Sequence, residues 1–348
     1  VARLGGADFL VAGPYPPERM ELFGGEVQHI LSRPIATPAG DARIGVRLAL
    51  VSARQDDDAA AFLRRGAEAL ALSREGQVSG GGEAPSESIE QLAVDIRAAL
   101  DEGQITIRFQ PQVGVSDGVI SGVEALARWE HPALGELGAE LLLTAAERAG
   151  LTGAVSGEIQ RIALERAARW PASLSRLRLS VNITADDVAQ PGFADTLLDR
   201  IDASGFPRSR LTLEVTETGL MEDLGTAANL FSTLRAAGCR VAIDDFGTGY
   251  SSLAYLKALP LDYLKIDRKL SQDIGGSPRD RVVVRGVIEM ALSLGLGVIA
   301  EGVETEAQLD LLAKEGCQFY QGFLCARPLD GESLIALIEG GARAVAVA

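Results

Sequence analysis

The sequence is poor in the residues that many metal-binding and secreted proteins depend on. Its 348 residues hold only three cysteines, Cys239, Cys317 and Cys325, and only two histidines, His29 and His131. The cysteines are scattered, odd in number and without CxxC spacing. That excludes a disulfide framework and a thiolate zinc site, and it fits a reducing, cytoplasmic setting. Two histidines are too few for a histidine-based metal hydrolase. Positive charge is also scarce: 33 Lys and Arg against 48 Asp and Glu leave a net charge of −15. Such a balance argues against DNA, RNA or an anionic membrane face as partner. It leaves room for a small phosphate ligand, because bound cations invert the local field. No apolar run reaches the roughly 18–20 residues of a membrane span, and no signal peptide is visible. The chain opens on Val1-Ala2-Arg3 without methionine. It reads as a fragment, with room upstream for a sensor or membrane anchor.

What is present is ample core material, 47% apolar residues, in an order that changes along the chain. Over 73–88, "SREGQVSGGGEAPSES", glycine, serine and proline displace apolar periodicity, the composition of a flexible linker. Residues 1–76 are read as one domain, 77–88 as the linker and 89–348 as a second domain. The second begins with a helical pattern through Ile89, Leu92, Ile96 and Leu100. "QITIRFQPQV" then alternates as a strand ending near Pro111. A short turn, "GVSDG", leads to "VISGVEALARW", and so short a connection makes the two strands antiparallel. Six further apolar runs follow: "LRLSVN", "LTLEVTE", "VAIDD", "YLKID", "GVIAEG" and "FYQGFL". Helical stretches separate them. One, at 277–294, opens on Ser277-Pro278, a cap followed by proline at the first helical position. Its buried side is read as Val283, Val284, Val287, Ile288, Ala291 and Leu292. Another opens on Thr305 with Gln308 three residues on, a capping box, and stops at Gly316. Eight strands alternating with helices predict a (β/α)8 barrel with one reversed strand. An open doubly wound sheet is the competing architecture.

Barrel chemistry lies at the carboxyl ends of the strands. Those ends carry Gln110, Glu124 with Arg128, Asn182, Glu214 with Glu217, Asp244-Asp245, Lys265 with Asp267, Glu301 with Glu304, and Gln321. Taken singly each has a plain explanation. A lone glutamate after a strand is usually solvated, paired aspartates often cap a helix, and a lysine in an apolar strand can snorkel. In a closed barrel, however, Glu124, Glu214, Asp244, Asp245 and Glu301 converge in one bowl. Their mutual repulsion drives carboxyl pKa values up, and divalent cations relieve it. Oxygen-only ligands select Mg²⁺, Mn²⁺ or Ca²⁺ over zinc or copper. Asp244 is placed to bridge two ions and Asp245 to serve one. Gly247 and Gly249 let the following loop fold tightly where a Cβ would clash. Lys265 is the one cation in the ring.

These residues sit in motifs that resemble a known family. "EALAR" at 124–128 followed by "WEHP" resembles the signature of the EAL domain, the cyclic di-GMP phosphodiesterases. The likeness runs from about 89 to 340. It includes "FQP" at 109–111, "VNIT" at 181–184, "EVTET" at 214–218, "DDFGTGYSSL" at 244–253, "LKIDR" at 264–268, "AEGVET" at 300–305 and "QGFLCARPL" at 321–329. The resemblance implies hydrolysis of cyclic di-GMP to linear pGpG with two Mg²⁺ or Mn²⁺ ions. It implies that Glu124, Asn182, Glu214 and Asp244 hold the first ion, and Asp244 and Asp245 the second. Lys265 and Glu301 match the pair that activates the attacking water, and Glu217 the glutamate that holds the "DDFGTG" loop. Gln110, Arg128, Gln321, Asp267 and Glu304 match positions around the substrate. A homodimer is implied as well.

The chain departs from the family at Gly138, Ala139 and Thr144, where prolines are common, and at Leu270, where phenylalanine is usual. The last bears on dimer strength rather than on hydrolysis. "ARLGGADFLV" at 2–11 resembles the "RxGGDEF" hairpin of diguanylate cyclases, making 1–76 the C-terminal part of a degenerate α+β GGDEF-like domain. "RIGVRLALV" reads as a strand of that domain and "AAAFLRRGAEALALSREG" as its closing helix. Ala7 replaces the acidic third position of the motif, so cyclase chemistry is excluded. GTP binding by an intact domain is the functional alternative for this segment. For the barrel the alternatives are a catalytically silent cyclic di-GMP receptor, or an unrelated divalent-metal aldolase or enolase-type lyase.

Overall fold

The computed structural model describes residues 85–340 except 217–222 and 248–252, and before them the short segments 2–5, 8–11, 35–37, 40–42, 48–51, 62–63, 65–66, 69–70 and 78–80. Two compact units result, Val1–Val94 and Asp95–Ala348. In the first, Ala2–Gly5 pairs antiparallel with Asp8–Leu10, the hairpin expected of "RLGGADF". Ala7 itself lies outside the described residues. Ile35–Thr37 forms a second hairpin with Gly40–Ala42. Leu48–Leu50 lies parallel to Val78–Gly80. The stretch read as linker therefore holds a three-residue strand, and the helix Pro85–Asp101 begins within it.

The second unit is a closed barrel of eight strands: β1 (Ile105–Gly114), β2 (Ile120–His131), β3 (Arg178–Asn182), β4 (Leu211–Thr216), β5 (Arg240–Phe246), β6 (Tyr263–Ile266), β7 (Gly297–Ala300) and β8 (Phe319–Gln321). β2 to β8 run parallel in order, β8 pairs with β1, and β2 also pairs with β3, which closes the ring. β1 is antiparallel to both of its neighbours. Closure removes the open-sheet alternative. A short strand, Gly135–Gly138, extends the sheet outside the ring by pairing with the far end of β2.

Alternation explains the strands. Ile105, Ile107 and Phe109 of β1 are buried on the barrel's outer face, where Phe109 meets Trp170 edge-on at 5.5 Å. Gln110 and Gln112 alternate with them and face inward. Helices cover the outside with apolar faces: Leu142 and Ala145 from Ala139–Arg148, Val155 and Ala163 from Thr152–Ala168, Phe231 and Leu234 from Leu224–Ala236. The caps read from the sequence form. Ser277 and Asp280 exchange hydrogen bonds at the start of Pro278–Ser293, and Thr305 and Gln308 do so at Glu306–Lys314.

Three expectations are corrected. β1 does not end near Pro111 but continues to Gly114, because the long partner β2 pairs with it as far as Val113. Glu124 is not at a strand end: β2 runs on to His131, where its last residues pair with the outer strand instead of turning away. In the helix Pro278–Ser293 only Val284, Ile288 and Ala291 are buried. Val287 and Leu292 are half-buried, and Val283 is 56% exposed, since a 3.6-residue repeat cannot turn both 283 and 284 to the core.

The floor of the barrel is packed. Ala242, Tyr263, Ile299 and Phe319 form an inner apolar cluster, and the guanidinium of Arg178 lies 5.3 Å from the Tyr263 ring and 5.4 Å from the Phe319 ring. A Cβ at Gly297 would stand 2.6 Å from the Tyr263 ring, so only glycine leaves room there. Two residues beyond the floor on the same inner face lie Asp244, Lys265, Glu301 and Gln321.

Candidate functional site

Lys265 stands at the centre. Its ammonium is fully buried and lies 2.6 Å from Glu214, 2.7 Å from Glu301, 3.0 Å from Asp244 and 3.2 Å from Glu124. These carboxylates come from β4, the end of β7, β5 and β2, so the barrel gathers groups more than a hundred residues apart. Asn182 at the end of β3 donates to the second oxygen of Glu124 at 2.9 Å. Gln321 at the end of β8 donates to Glu124 at 2.6 Å and to Gln110 at 3.0 Å.

Asp244 and Asp245 are adjacent, and in a regular strand they would face opposite ways. They do not, because β5 carries a register shift between Ile243 and Phe246, and Asp245 adopts φ 55°, the one positive φ outside glycine among the described residues. The bulge re-aims the pair so that both line the same cleft. Gly247, two residues beyond Asp245, has φ 108°, and a Cβ there would stand 2.9 Å from Leu270. This is the clash the sequence anticipates at that glycine. Gly249 and Glu217 lie outside the described residues.

Five carboxylates against one ammonium make a strained electrostatic balance. Burial pushes Glu214 up to about 8, with Lys265 pulling the other way. Burial likewise pushes Asp244 up to about 6, and it holds Asp245 above, and Glu301 well above, the ordinary carboxylate range. Glu124 moves the other way. Its burial is outweighed by Lys265 and by the hydrogen bonds from Gln321, Asn182 and Lys265, which leave it below its ordinary value. Lys265 is held well above the ordinary lysine value: burial opposes its charge, but the four surrounding carboxylates prevail.

The acidic groups form two clusters, Glu124 with Glu214 and Asp244, and Asp244 with Asp245 and Glu301. In each, one carboxylate oxygen per residue lies within 4.8 Å of the others. Asp244 belongs to both. This donor set can hold metal. It is all oxygen, as hard divalent cations require, and a buried Oε1 of Gln321 faces no hydrogen-bond partner beside it. A cleft of about 650 Å³ opens above the clusters. It is lined by Glu124, Asp244, Asp245, Glu301, Gln110 and Gln321, with Arg108, Arg128, Arg268, Arg327 and Phe323 on its walls.

The remaining predicted residues divide. Arg128 and Glu304 line the cleft, Glu304 paired with Arg268 at 2.5 Å. Asp267 instead caps the helix Arg268–Asp273 through the Lys269 N–H at 2.9 Å, and its charge contributes to raising Asp245. Sequence reasoning missed the layer beneath the ring. Gln112, buried, donates to Glu214 and to Ser180, each at 3.4 Å. The signal was available: Gln112 is two residues from Gln110 and shares its face. It also missed Arg108 and Glu136, which no strand-end rule selects.

Comparison with known proteins places this arrangement. The family model described as "EAL domain" matches residues 93–328. The chain is 40% identical over 244 residues to the cyclic di-GMP phosphodiesterase NbdA of Pseudomonas aeruginosa, covering 69% of this chain and 31% of NbdA. It is 33% identical over 348 residues to the bifunctional diguanylate cyclase/cyclic di-GMP phosphodiesterase MucR of the same organism, covering 97% of this chain and 51% of MucR. The chain thus spans about a third of the length of NbdA and about half that of MucR. A solved structure described as "PaMucR Phosphodiesterase, c-di-GMP complex" superposes with a TM-score of 0.67 at 38% identity, covering 70% of this chain and 99% of that one.

Proposed function

The chain belongs to the EAL domain family, and from that premise we propose that it hydrolyses one phosphodiester of cyclic di-GMP, giving linear pGpG. The observation that carries this reading is the pair of acidic clusters joined through Asp244 and centred on Lys265. Glu124, Asn182, Glu214 and Asp244 would hold one Mg²⁺ or Mn²⁺, and Asp244 with Asp245 a second. Such ions supply charge neutralisation of the phosphodiester and acidify water for in-line attack. The chain's own groups do the rest. Glu301, at the cleft surface of the ring, accepts the proton of the attacking water. Lys265, 2.7 Å from it, fixes the orientation of that carboxylate. Gln321 holds Glu124 and is itself braced by Gln110, and with Arg128 they meet the substrate. Asp267 and Glu304 act at the periphery of the site. The relative solved with c-di-GMP supports the substrate assignment. The silent-receptor alternative gains no support, because every matched metal ligand is present.

We place the enzyme in the cytoplasm as a homodimer. Its three cysteines are unpaired, and no helix among the described residues is long and apolar enough to cross a membrane. Residues 1–76 act as a GGDEF-like remnant without cyclase chemistry, 77–88 as the connection and 89–348 as the hydrolase. GTP binding to a full-length protein is the test of any wider role for the remnant. For the barrel, cyclic di-GMP is incubated with the protein and Mg²⁺ or Mn²⁺, and products are separated by anion exchange. pGpG should accumulate, and Glu301→Gln should slow it by roughly 100-fold or more. Tight nucleotide binding with no product in either metal would reject hydrolysis.

A further inference from the structure

One carboxylate on the cleft wall has no place in the acidic ring. Glu136, from the short outer strand, reaches between two arginines. Its Oε2 accepts from Arg108 at 2.7 Å and 3.2 Å, and its Oε1 lies 3.8 Å from Arg128. All three residues line the cleft. The outer strand positions this contact: Gly138 pairs with Arg128 and Glu136 with Glu130, so the strand lies along the rim formed by β2. The arginine stems are largely covered, 30% and 18% exposed, while Glu136 is 43% exposed and can swing out. The charge of Arg108 disfavours that of Arg128, and the Glu136 carboxylate between them relieves it. Asp330, at 3.5 Å, touches Arg108 alone.

We propose that Glu136 is an internal stand-in for a substrate phosphate. In the free protein it occupies an anion clamp made by Arg108 and Arg128. A phosphodiester of the dinucleotide displaces it on binding. This inference rests on the reading of the cleft as a cyclic dinucleotide site. Under it Glu136 sets substrate affinity without touching the reacting atoms, and Arg108 is a binding residue that no strand-end pattern identifies. An anion confined in the clamp would exchange a carboxylate that costs little to release for a phosphate that bridges both forks. The affinity of the site is then lower than its arginines alone would give, by the free energy of displacing Glu136.

The test is Glu136→Gln, an isosteric change on an exposed strand, with folding checked by thermal melting. KM for cyclic di-GMP should fall by about three- to fivefold, the size of an exposed ion-pair effect, while kcat stays within twofold. The gain should shrink at 0.5 M salt, as screening predicts. In an Arg108→Gln background, which itself raises KM, the same Glu136→Gln change should give a smaller gain. An unchanged or higher KM in Glu136→Gln overturns the proposal, because Glu136 would then be orienting the arginines rather than competing for them. So would an undiminished gain in the Arg108→Gln background. If the parent neither cleaves nor binds the dinucleotide, the reading of the cleft fails first and the clamp with it. Parent turnover with an unresponsive Glu136→Gln fails the clamp alone.

Discussion

Lys265→Met is the sharpest test of how the acidic ring is held together. The substitution keeps an unbranched apolar stem and removes the ammonium, with its charge and its hydrogen bonds to Glu124 and Glu214. With the ammonium 2.6–3.2 Å from four carboxylates, each attraction is worth about 5–6 kcal/mol gross at an effective dielectric constant near 20. Repulsion between carboxylates at 4.8 Å, the limiting separation within each cluster, is about 3.5 kcal/mol per pair on the same scale. The attractions roughly balance the repulsions, so in the absence of metal Lys265 offsets most of the cost of crowding the carboxylates, although Glu214 and Asp244 still sit above their ordinary values. Without it, some carboxyls must take up protons or the fold must open. Removing one partner of a buried charge cluster typically costs about 3–5 kcal/mol. For a unit of this size that is a melting-temperature drop of about 10 °C. The assay is a thermal melt of parent and variant in EDTA at pH 8 and pH 6, repeated with excess Mg²⁺ or Mn²⁺. The variant should lose more at pH 8, where protonation cannot relieve the repulsion. It should also gain more from metal than the parent does, because the cation no longer competes with Lys265. A variant that melts within 2 °C of the parent in EDTA at pH 8 refutes the balance.

Two further outcomes follow from the same geometry. In the parent under EDTA, stability should fall as pH rises between about 4 and 8. Glu214 and Asp244 sit at about 8 and about 6 in the folded chain against ordinary values of 4.5 and 3.8, so the folded state holds more protons across that window; a flat melting profile in chelator would contradict the burial of the ring. Gly297→Ala drives a Cβ to 2.6 Å from the Tyr263 ring at the barrel floor and should cost about 1–3 kcal/mol in a urea melt, an effect that vanishes if the floor is looser than described.

Much of this was legible in the sequence because a barrel strand translates a two-residue period into inside and outside. Lys265 and Glu214 could be placed in the bowl from their strand patterns, and the caps at Ser277 and Thr305 followed from three-residue spacing alone. What was not legible depended on pairing. The length of β1 and β2 is set by each other, so Glu124 lies within its strand although the local pattern suggested an end. The common aim of Asp244 and Asp245 required a bulge whose position no periodicity announces. The motif that suggested a substrate role for Asp267 gave no hint that its side chain also caps a helix start. Glu136 drew no notice because it lies in a turn-rich segment, and only the tertiary rim brings two arginines to it.

The left-handed backbone at Asp245 also limits how this sequence can drift. Aspartate tolerates that conformation better than most side chains, yet it still costs more there than glycine does. Glycine at 245 would therefore relax the chain and raise its heat tolerance while deleting a carboxylate from the cleft. Robustness and turnover thus make opposite demands on this one position.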